Sequence, residues 1–266
     1  MSIKEQIKRF CPPIIVNAFK GKSKYGYFGN YKTWQQAKDN SGGYDSDLIL
    51  EKVKDSLLKV KNGEMAYERD SVLFDQKQYS WPLLAGLLFI ASEDKNRLNV
   101  LDFGGSLGSS YFQNKDLLKN IDLKWYIAEQ DNFIQCGKKY FEDNVLKFVD
   151  GTDNAPIKDI SVFIASSSLQ YLEDPYDFMK KIIIKGFPYI IIDRTLFLPD
   201  REKICVQKVR PEIYDASYPV WFMNEKKFLD IFADKYEMIS DFYSFDGKVD
   251  LGGEIAIGKG FIFRKV

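Results

Sequence analysis

The chain has 266 residues, with 38 basic and 38 acidic side chains and no histidine. That length suits one large α/β domain, alone or with an extension, and the balanced charge offers no electrostatic footprint for nucleic acid or an anionic membrane. The missing imidazole excludes Ser-His-Asp hydrolysis, Cys-His proteolysis, histidine zinc sites and any histidine general base.

Cys11, Cys136 and Cys205 are far apart and form no CxxC pair, and the N-terminus, charged from Lys4 onward, lacks a secretory pattern. A reducing cytoplasm is therefore the expected compartment. The longest apolar stretch, Trp81 to Ala91, is too short to span a bilayer.

In chain order, Ile3 to Phe10 has amphipathic helical spacing and stops at Pro12-Pro13. Aromatics and glycines follow in Tyr25, Tyr27, Phe28, Tyr31, Trp34, Gly42, Gly43 and Tyr44, a pattern expected of an irregular N-terminal arm that packs on the main domain or forms a lid or acceptor-binding surface. Asp47 to Val60 carries a helical apolar face in Leu48, Val53, Leu57 and Val60. The polar cluster from Tyr67 to Ser71, with Glu68, Arg69 and Asp70, is expected in a turn ahead of a helix over Gln78 to Ser92. An alternation then begins. Strands are expected at Leu98–Phe103, Lys124–Ala128, Leu146–Val149, Ile160–Ala165 and Pro188–Ile192. Helices are expected at Ser109–Leu118, Gln130–Glu142 and Asp174–Ile184. After Pro199 the rhythm changes. Lys203 to Val209 alternates, Asn224 to Phe232 is helical, and Tyr236–Phe245 and Glu254–Arg264 suit two strands joined by a Gly-rich loop at 246–253. The expected fold is α/β: a doubly wound, mostly parallel sheet with an antiparallel pair at its edge and an N-terminal helical or irregular extension. The division expected is an arm over residues 1–77 and a main domain over 78–266.

Every strand of the alternation ends in polar residues, where ligands of open parallel sheets bind. The first runs through Asp102-Phe103 into Gly104-Gly105-Ser106-Leu107-Gly108. The glycine spacing does not match the dinucleotide pattern G-x-G-x-x-G, and no phosphate-loop lysine follows. The other strand ends carry Glu129-Gln130, Asp150, Ser166-Ser167-Ser168 and Asp193-Arg194-Thr195.

Asp102 to Gly108, with Glu129, Asp150 and the segment Ser166 to Pro175, resembles the motifs of class I S-adenosylmethionine-dependent methyltransferases over about residues 78–265. The family pattern has glycine where this chain has Ser106, and Gly105 is the neighbour that could supply the backbone freedom. The resemblance implies a Rossmann-like seven-stranded sheet with an antiparallel last strand and S-adenosylmethionine as cofactor. By it, Asp102, Gly104, Gly105, Ser106 and Gly108 cradle the cofactor, Glu129 and Gln130 meet the ribose, Asp150 meets the adenine, and Ser166 and Ser167 line the methionine end. A narrower resemblance includes Gly29-Asn30-Tyr31, Gly43-Tyr44-Asp45, Tyr67 to Ser71, Leu169 to Leu172 and Asp193-Arg194-Thr195. It is to bacterial methyltransferases often associated with surface-polysaccharide or capsule biosynthesis, and it adds Tyr67 and Arg69 to the cofactor set. The implied partner is a small-molecule acceptor: a sugar, nucleotide-linked or phosphorylated precursor.

Methyl transfer to a hydroxyl needs a proton acceptor, whereas an acceptor that is already anionic, a carboxylate or phosphate-type oxygen, needs none; the missing histidine shifts weight toward an anionic acceptor or a carboxylate base. Without histidine, Asp193 is the first candidate, with Glu68, Asp70, Glu173, Glu254 or a tyrosine as alternatives. Arg194 and Arg69 are candidates for holding an anionic acceptor, and Gln170 for touching cofactor or acceptor. Two rival readings remain open. Tyr176-x-x-x-Lys180 has the spacing of short-chain dehydrogenases, and Ser106 in the glycine turn suits a cofactor- or partner-binding protein without activity.

Overall fold

The computed structural model describes residues 24–43 and 46–266. The expected helix at Ile3–Phe10 and the motif residues Tyr44 and Asp45 lie outside them. The elements are β1 (Gly26–Tyr31), α1 (Trp34–Asp39), α2 (Ser46–Lys61), β2 (Tyr67–Arg69), β3 (Val72–Phe74), α3 (Trp81–Glu93), β4 (Arg97–Phe103), α4 (Ser109–Asn114), β5 (Asp122–Glu129), α5 (Asp131–Tyr140), β6 (Leu146–Asp150), β7 (Val162–Ser166), α6 (Pro175–Lys185), β8 (Tyr189–Leu198), β9 (Lys203–Lys208), β10 (Ser217–Asn224), α7 (Glu225–Asp230), β11 (Tyr236–Asp250) and β12 (Ile255–Lys265). Short 3-10 turns cover Ile157–Asp159 and Leu169–Tyr171. Among the described residues no helix is long and apolar enough to cross a membrane.

Strands β6, β5, β4, β7 and β8 lie side by side and parallel in that order, and β12 and then β11 add antiparallel to β8. This is the expected doubly wound, Rossmann-like seven-stranded sheet. Its central strands are buried on both faces, as helix-covered parallel strands must be. Along β7, Val162 and Ile164 enter the core beneath α2 to α5, while Phe163 and Ala165 enter the core beneath α6 and α7. Helix α6 shows how the sequence sets an element's ends: the Asp174 side chain accepts from the Asp177 N–H, Pro175 opens the first turn, and Gly186 closes the helix in the left-handed region at φ 73°.

The sheet exceeds the expectation at one edge. Strand β8 outruns β7, and its last residues, Phe197 and Leu198, pair with β10. Strand β9 then pairs antiparallel with β10, and β1, from the N-terminal arm, pairs antiparallel with β9. Part of the arm expected to be irregular is thus a strand of the main sheet, which satisfies the outer edge of β9. Two other expectations shift. Residues 67–74 form a hairpin whose two-residue loop, Asp70-Ser71, has φ of 52° and 68°, the type I′ signature. The stretch from Asp246 to Asp250 is no connecting loop: β11 bulges at 244–247 and then resumes pairing, with Lys248 opposite Ile257.

Phe163 is fully buried, and its ring lies near those of Phe103, Phe178 and Phe187. Phe163→Ala is expected to lower unfolding stability by about 3–5 kcal/mol, measured by urea denaturation. A loss well under 1 kcal/mol would show that this core repacks around the gap.

Candidate active site

A cavity of about 890 Å³ opens at the carboxyl ends of β4, β5, β7 and β8. Its floor is the turn after β4. Gly104 (φ 68°) and Ser106 (φ 56°) both take the left-handed backbone. Ser106 therefore carries that conformation itself, and Gly105 does not supply it in its place. Gly105 is required for closeness instead: a Cβ there would lie 2.7 Å from the Asp102 carboxyl and 2.9 Å from Ile127. A Cβ on Gly104 would meet the Ser168 Cβ at 2.6 Å. The Ser106 N–H donates to Glu129 Oε1 (3.2 Å), and the Gln130 N–H donates to Glu129 Oε2 (2.9 Å), so the ends of β4 and β5 share one carboxylate.

The far wall comes from β8, which kinks at Arg194 (φ 52°) opposite a register shift in β12. A Cβ on Gly260 would sit 2.6 Å from the Ile192 carbonyl oxygen, so glycine lets the two strands close at the kink. An unbroken strand sends successive side chains to opposite faces, whereas here Asp193 and Arg194 both line the cavity. Arg194 donates to Asp70 (2.9 Å) and to both oxygens of Asp246 (3.2 and 3.3 Å). Its guanidinium thus ties the β2–β3 hairpin and the β11 bulge to β8. Phe245 lies between the Arg194 and Arg69 guanidiniums, 5.3 and 4.6 Å from its ring centre, and Arg69 also covers Phe74 at 5.3 Å. No carboxylate partners Arg69 among the described residues.

Three carboxylates, Glu68, Asp102 and Asp193, are each only 1% exposed on this cavity. Burial pushes Glu68 and Asp102 up to about 7 and Asp193 up to about 6. Glu68 accepts from the Ser71 N–H (2.6 Å) and the Ser109 hydroxyl (2.5 Å), which moderates its rise. Asp102 accepts from the Trp125 indole (3.1 Å), and Asp193 from the Arg194 N–H (2.9 Å). Glu129 is also raised by desolvation, against the pull of its two backbone donors.

Six buried side-chain atoms among the described residues lack a hydrogen-bond partner, and five belong to residues of this cavity: Ser71 Oγ, Asp102 Oδ1, Ser168 Oγ, Gln170 Oε1 and Asp193 Oδ2. Unpartnered buried polar atoms are costly and rare, and their clustering on one cavity marks it as built for a ligand. Three of the five, the carboxylate and amide oxygens, only accept, so they call for a ligand with N–H, O–H or cationic groups.

Of the residues singled out in the sequence, Tyr67, Arg69, Asp102, Gly104, Gly105, Ser106, Glu129, Gln130, Ser166, Ser167, Gln170, Asp193 and Arg194 all line the cavity. Gly108 lies outside its wall and starts α4 at φ 106°. Asp150 also lies outside, and its neighbour Gly151 reaches the cavity instead. Gln170 is 2% exposed and donates to the Arg194 carbonyl (3.1 Å) and Ser167 Oγ (3.3 Å), so it braces the kink from below. Tyr176 and Lys180 are elsewhere: the Tyr176 oxygen accepts from the Asn224 N–H, and Lys180 pairs with Asp177. The dehydrogenase pattern thus has no place on the cavity. Tyr27 reaches the cavity from β1, among the arm aromatics expected to form a lid or acceptor-binding surface; sequence reading missed Tyr214, Tyr218, Gln207, Phe245 and Asp246, which reach it from β9, β10, the segment before β10 and the β11 bulge.

No protein-family model matches the sequence, and no curated protein matches it by sequence. Solved structures are similar in chain trace. LepI in complex with SAM shares 10% identity over 69% of this chain and 46% of LepI (TM-score 0.45), so this chain spans less than half of LepI's length. The N-terminal domain of EvdMO1, solved with SAH and D-fucose, shares 12% over 84% of this chain and 98% of that domain (TM-score 0.44). The Burkholderia thailandensis 1,6-didemethyltoxoflavin-N1-methyltransferase, solved with its substrate and S-adenosylhomocysteine, shares 10% over 84% and 92% (TM-score 0.39). Each likeness lies in the chain trace alone.

A carboxyl whose pKa is higher folded than unfolded favours the folded state below its unfolded pKa, and that advantage disappears as pH rises through the folded pKa. For Glu68, Asp102 and Asp193 the window runs from about 4 unfolded up to about 6 to 7 folded. The unliganded protein is expected to lose thermal stability from these groups as pH rises across that window, and Glu68→Gln to flatten the loss. Scanning calorimetry across the pH series checks this; an unchanged slope in the variant would show that Glu68 is not perturbed.

Proposed function

We propose that the chain is an S-adenosylmethionine-dependent methyltransferase acting on an oxygen of a small-molecule acceptor. The observation that carries this reading is the cluster of acceptor-only atoms and buried carboxylates around the left-handed turn Gly104–Ser106. A cationic, hydroxyl-rich, phosphate-free cofactor suits that chemistry, and a dinucleotide pyrophosphate does not. Glu129, already fixed at one edge by two backbone donors, keeps lone pairs for ribose hydroxyls. Arg69, which has no carboxylate partner among the described residues, suits the methionine carboxylate. Tyr67, Asp102, Ser166 and Ser167 complete the proposed cofactor side, with Asp150 near its rim.

Bound S-adenosylmethionine would supply an electrophilic methyl on a cationic sulfur, which departs as a neutral thioether when an acceptor oxygen takes the methyl. The chain's own residues do the rest. The kink in β8 aims Asp193 into the cavity, where its free Oδ2 accepts the hydroxyl proton as the new C–O bond forms. Burial, which raises Asp193 to about 6, makes it a stronger base than an exposed aspartate while leaving it ionised at neutral pH. The described part of the arm, through Tyr27, Trp34 and Lys38, and the Tyr67–Ser71 segment add to the wall of the cavity. The resemblance to glycan-associated methyltransferases supports a sugar or sugar-precursor acceptor in surface-polysaccharide synthesis, in the cytoplasm. Ser106, the one feature behind the reading as an inactive binding protein, adopts the left-handed backbone of the turn, which supports cofactor binding.

Titration calorimetry with S-adenosylmethionine and S-adenosylhomocysteine is expected to show binding to the native chain, weakened by at least about tenfold in Glu129→Ala. Absence of binding of both would overturn the reading. With a methylated acceptor in hand, Asp193→Asn is expected to lower kcat by about 10²–10⁴-fold with little change in cofactor affinity. A kcat within about twofold of the native value would remove Asp193 from proton transfer.

A further inference from the structure

Past the cofactor turn, the cavity continues into a lobe whose wall is β9, β10 and the added strand β1, all outside the seven-stranded core. Four phenols meet there: Tyr27, Tyr171, Tyr214 and Tyr218. Tyr171 donates to Gln207 Oε1 (3.0 Å), the Tyr214 and Tyr218 oxygens are 3.3 Å apart, and the Tyr171 and Tyr218 rings pack edge to face at 5.4 Å. Burial raises all four phenols above the ordinary range, so each keeps its proton and serves as a donor and acceptor. Among the described residues no hydrogen bond uses the Gln207 side-chain N–H groups. Next to Tyr171, Gln170 Oε1 is a buried acceptor without a partner, as is Asp193 Oδ2.

The charges on this side are already matched. Arg194, which on sequence grounds was a candidate for an acceptor's negative group, is held by Asp70 and Asp246 and has a side chain only 14% exposed. Lys38 is exposed at the rim. An anion in the lobe would face acceptor-only oxygens, with Arg194 already paired and Arg69 assigned to the carboxylate of the cofactor, a costly arrangement. A hydroxyl, which both donates and accepts, satisfies Gln170 Oε1 and Asp193 Oδ2 by donating, and the Gln207 N–H groups and the phenols by accepting. Aromatic faces and edges suit the flat sides of a ring.

We propose that this lobe is the acceptor subsite, and that it takes a neutral, hydroxyl-bearing ring, held by Tyr27, Tyr171, Tyr214, Tyr218 and Gln207 with one hydroxyl on Asp193. The inference rests on the methyltransferase reading and narrows its acceptor to rings without a charged group at the held end. The ring's source, a pyranose or a catechol-type phenol, is separated by the test.

The test uses the full chain saturated with S-adenosylhomocysteine, whose binding is first confirmed by calorimetry. Saturation-transfer NMR is run with methyl β-D-glucopyranoside, methyl α-L-rhamnopyranoside and 4-methylcatechol as neutral rings, and with glucuronate and glucose 1-phosphate as charged counterparts. Expected is transfer to a neutral ring, with its Kd raised by at least about tenfold in Tyr218→Phe or Gln207→Ala while S-adenosylhomocysteine affinity holds. A pyranoside signal assigns the sugar source and a catechol signal the phenol source. Binding of the charged compounds alone, of none, or of neutral rings equally by native and variant chains would overturn the inference and leave the cofactor reading intact. Failure of S-adenosylhomocysteine to bind the native chain would overturn both.

Discussion

Burial of carboxyl groups is the constraint on which the cavity depends. Glu68, Asp102 and Asp193 are almost wholly removed from water, and none has a cation as hydrogen-bond partner. Each is held by backbone or neutral donors instead: the Ser71 N–H and Ser109 hydroxyl, the Trp125 indole, and the Arg194 N–H. Such groups cost stability in the empty protein. In the methyltransferase reading proposed here, that cost is retained so that the carboxyls meet a cationic cofactor and a hydroxyl proton in one cavity.

The cationic side chains are kept off those carboxylates by prior engagement. Arg194 spans Asp70 and Asp246, and Phe245 separates it from Arg69. This arrangement converts Arg194 from a ligand-binding group into a tie among three segments far apart in sequence: the β2–β3 hairpin, the end of β8 and the β11 bulge. It also divides the cavity chemically. The side beneath Gly104 and Ser106 keeps acidic character with one unpaired arginine, and the side walled by β9 and β10 is a field of phenols.

Backbone geometry rather than side-chain chemistry shapes the far wall of the cavity. The kink at Arg194 turns two successive β8 side chains onto one face, and Gly260 on β12 lets the strands close around it. Gln170 supports the kinked backbone through the Arg194 carbonyl. Non-glycine residues in the left-handed region, Asp70, Ser71, Ser106, Ser167 and Arg194, occur on three walls of the cavity: the β2–β3 hairpin, the turns after β4 and β7, and the kink of β8. Backbone strain of this kind persists where surrounding contacts over-determine it, commonly at functional sites.

The alternation of short apolar runs with helical spacing determined the doubly wound sheet, because strands buried on both faces leave a pattern readable without tertiary information. Polar residues at the strand ends located the cavity for the same local reason: Gly104, Glu129, Ser166 and Asp193 each follow directly on a strand. What the tertiary structure alone decided is everything carried by long-range pairing. Strand β10 contains Pro219 and alternates weakly, and β1 lies among irregular aromatics, so neither signals its place beside β9. Asp246-Gly247 carries a turn signature, yet β11 resumes pairing beyond it, because the glycines at 258 and 260 in β12 leave room for the bulge and for Phe242. The partners of Arg194, at 70 and 246, lie more than fifty residues away in one case and more than a hundred in the other, and no local pattern encodes an ion pair across such distances. Sequence thus marked where the cavity opens, through local hydrophobic periodicity; only the folded chain decided which charges on its wall are already paired.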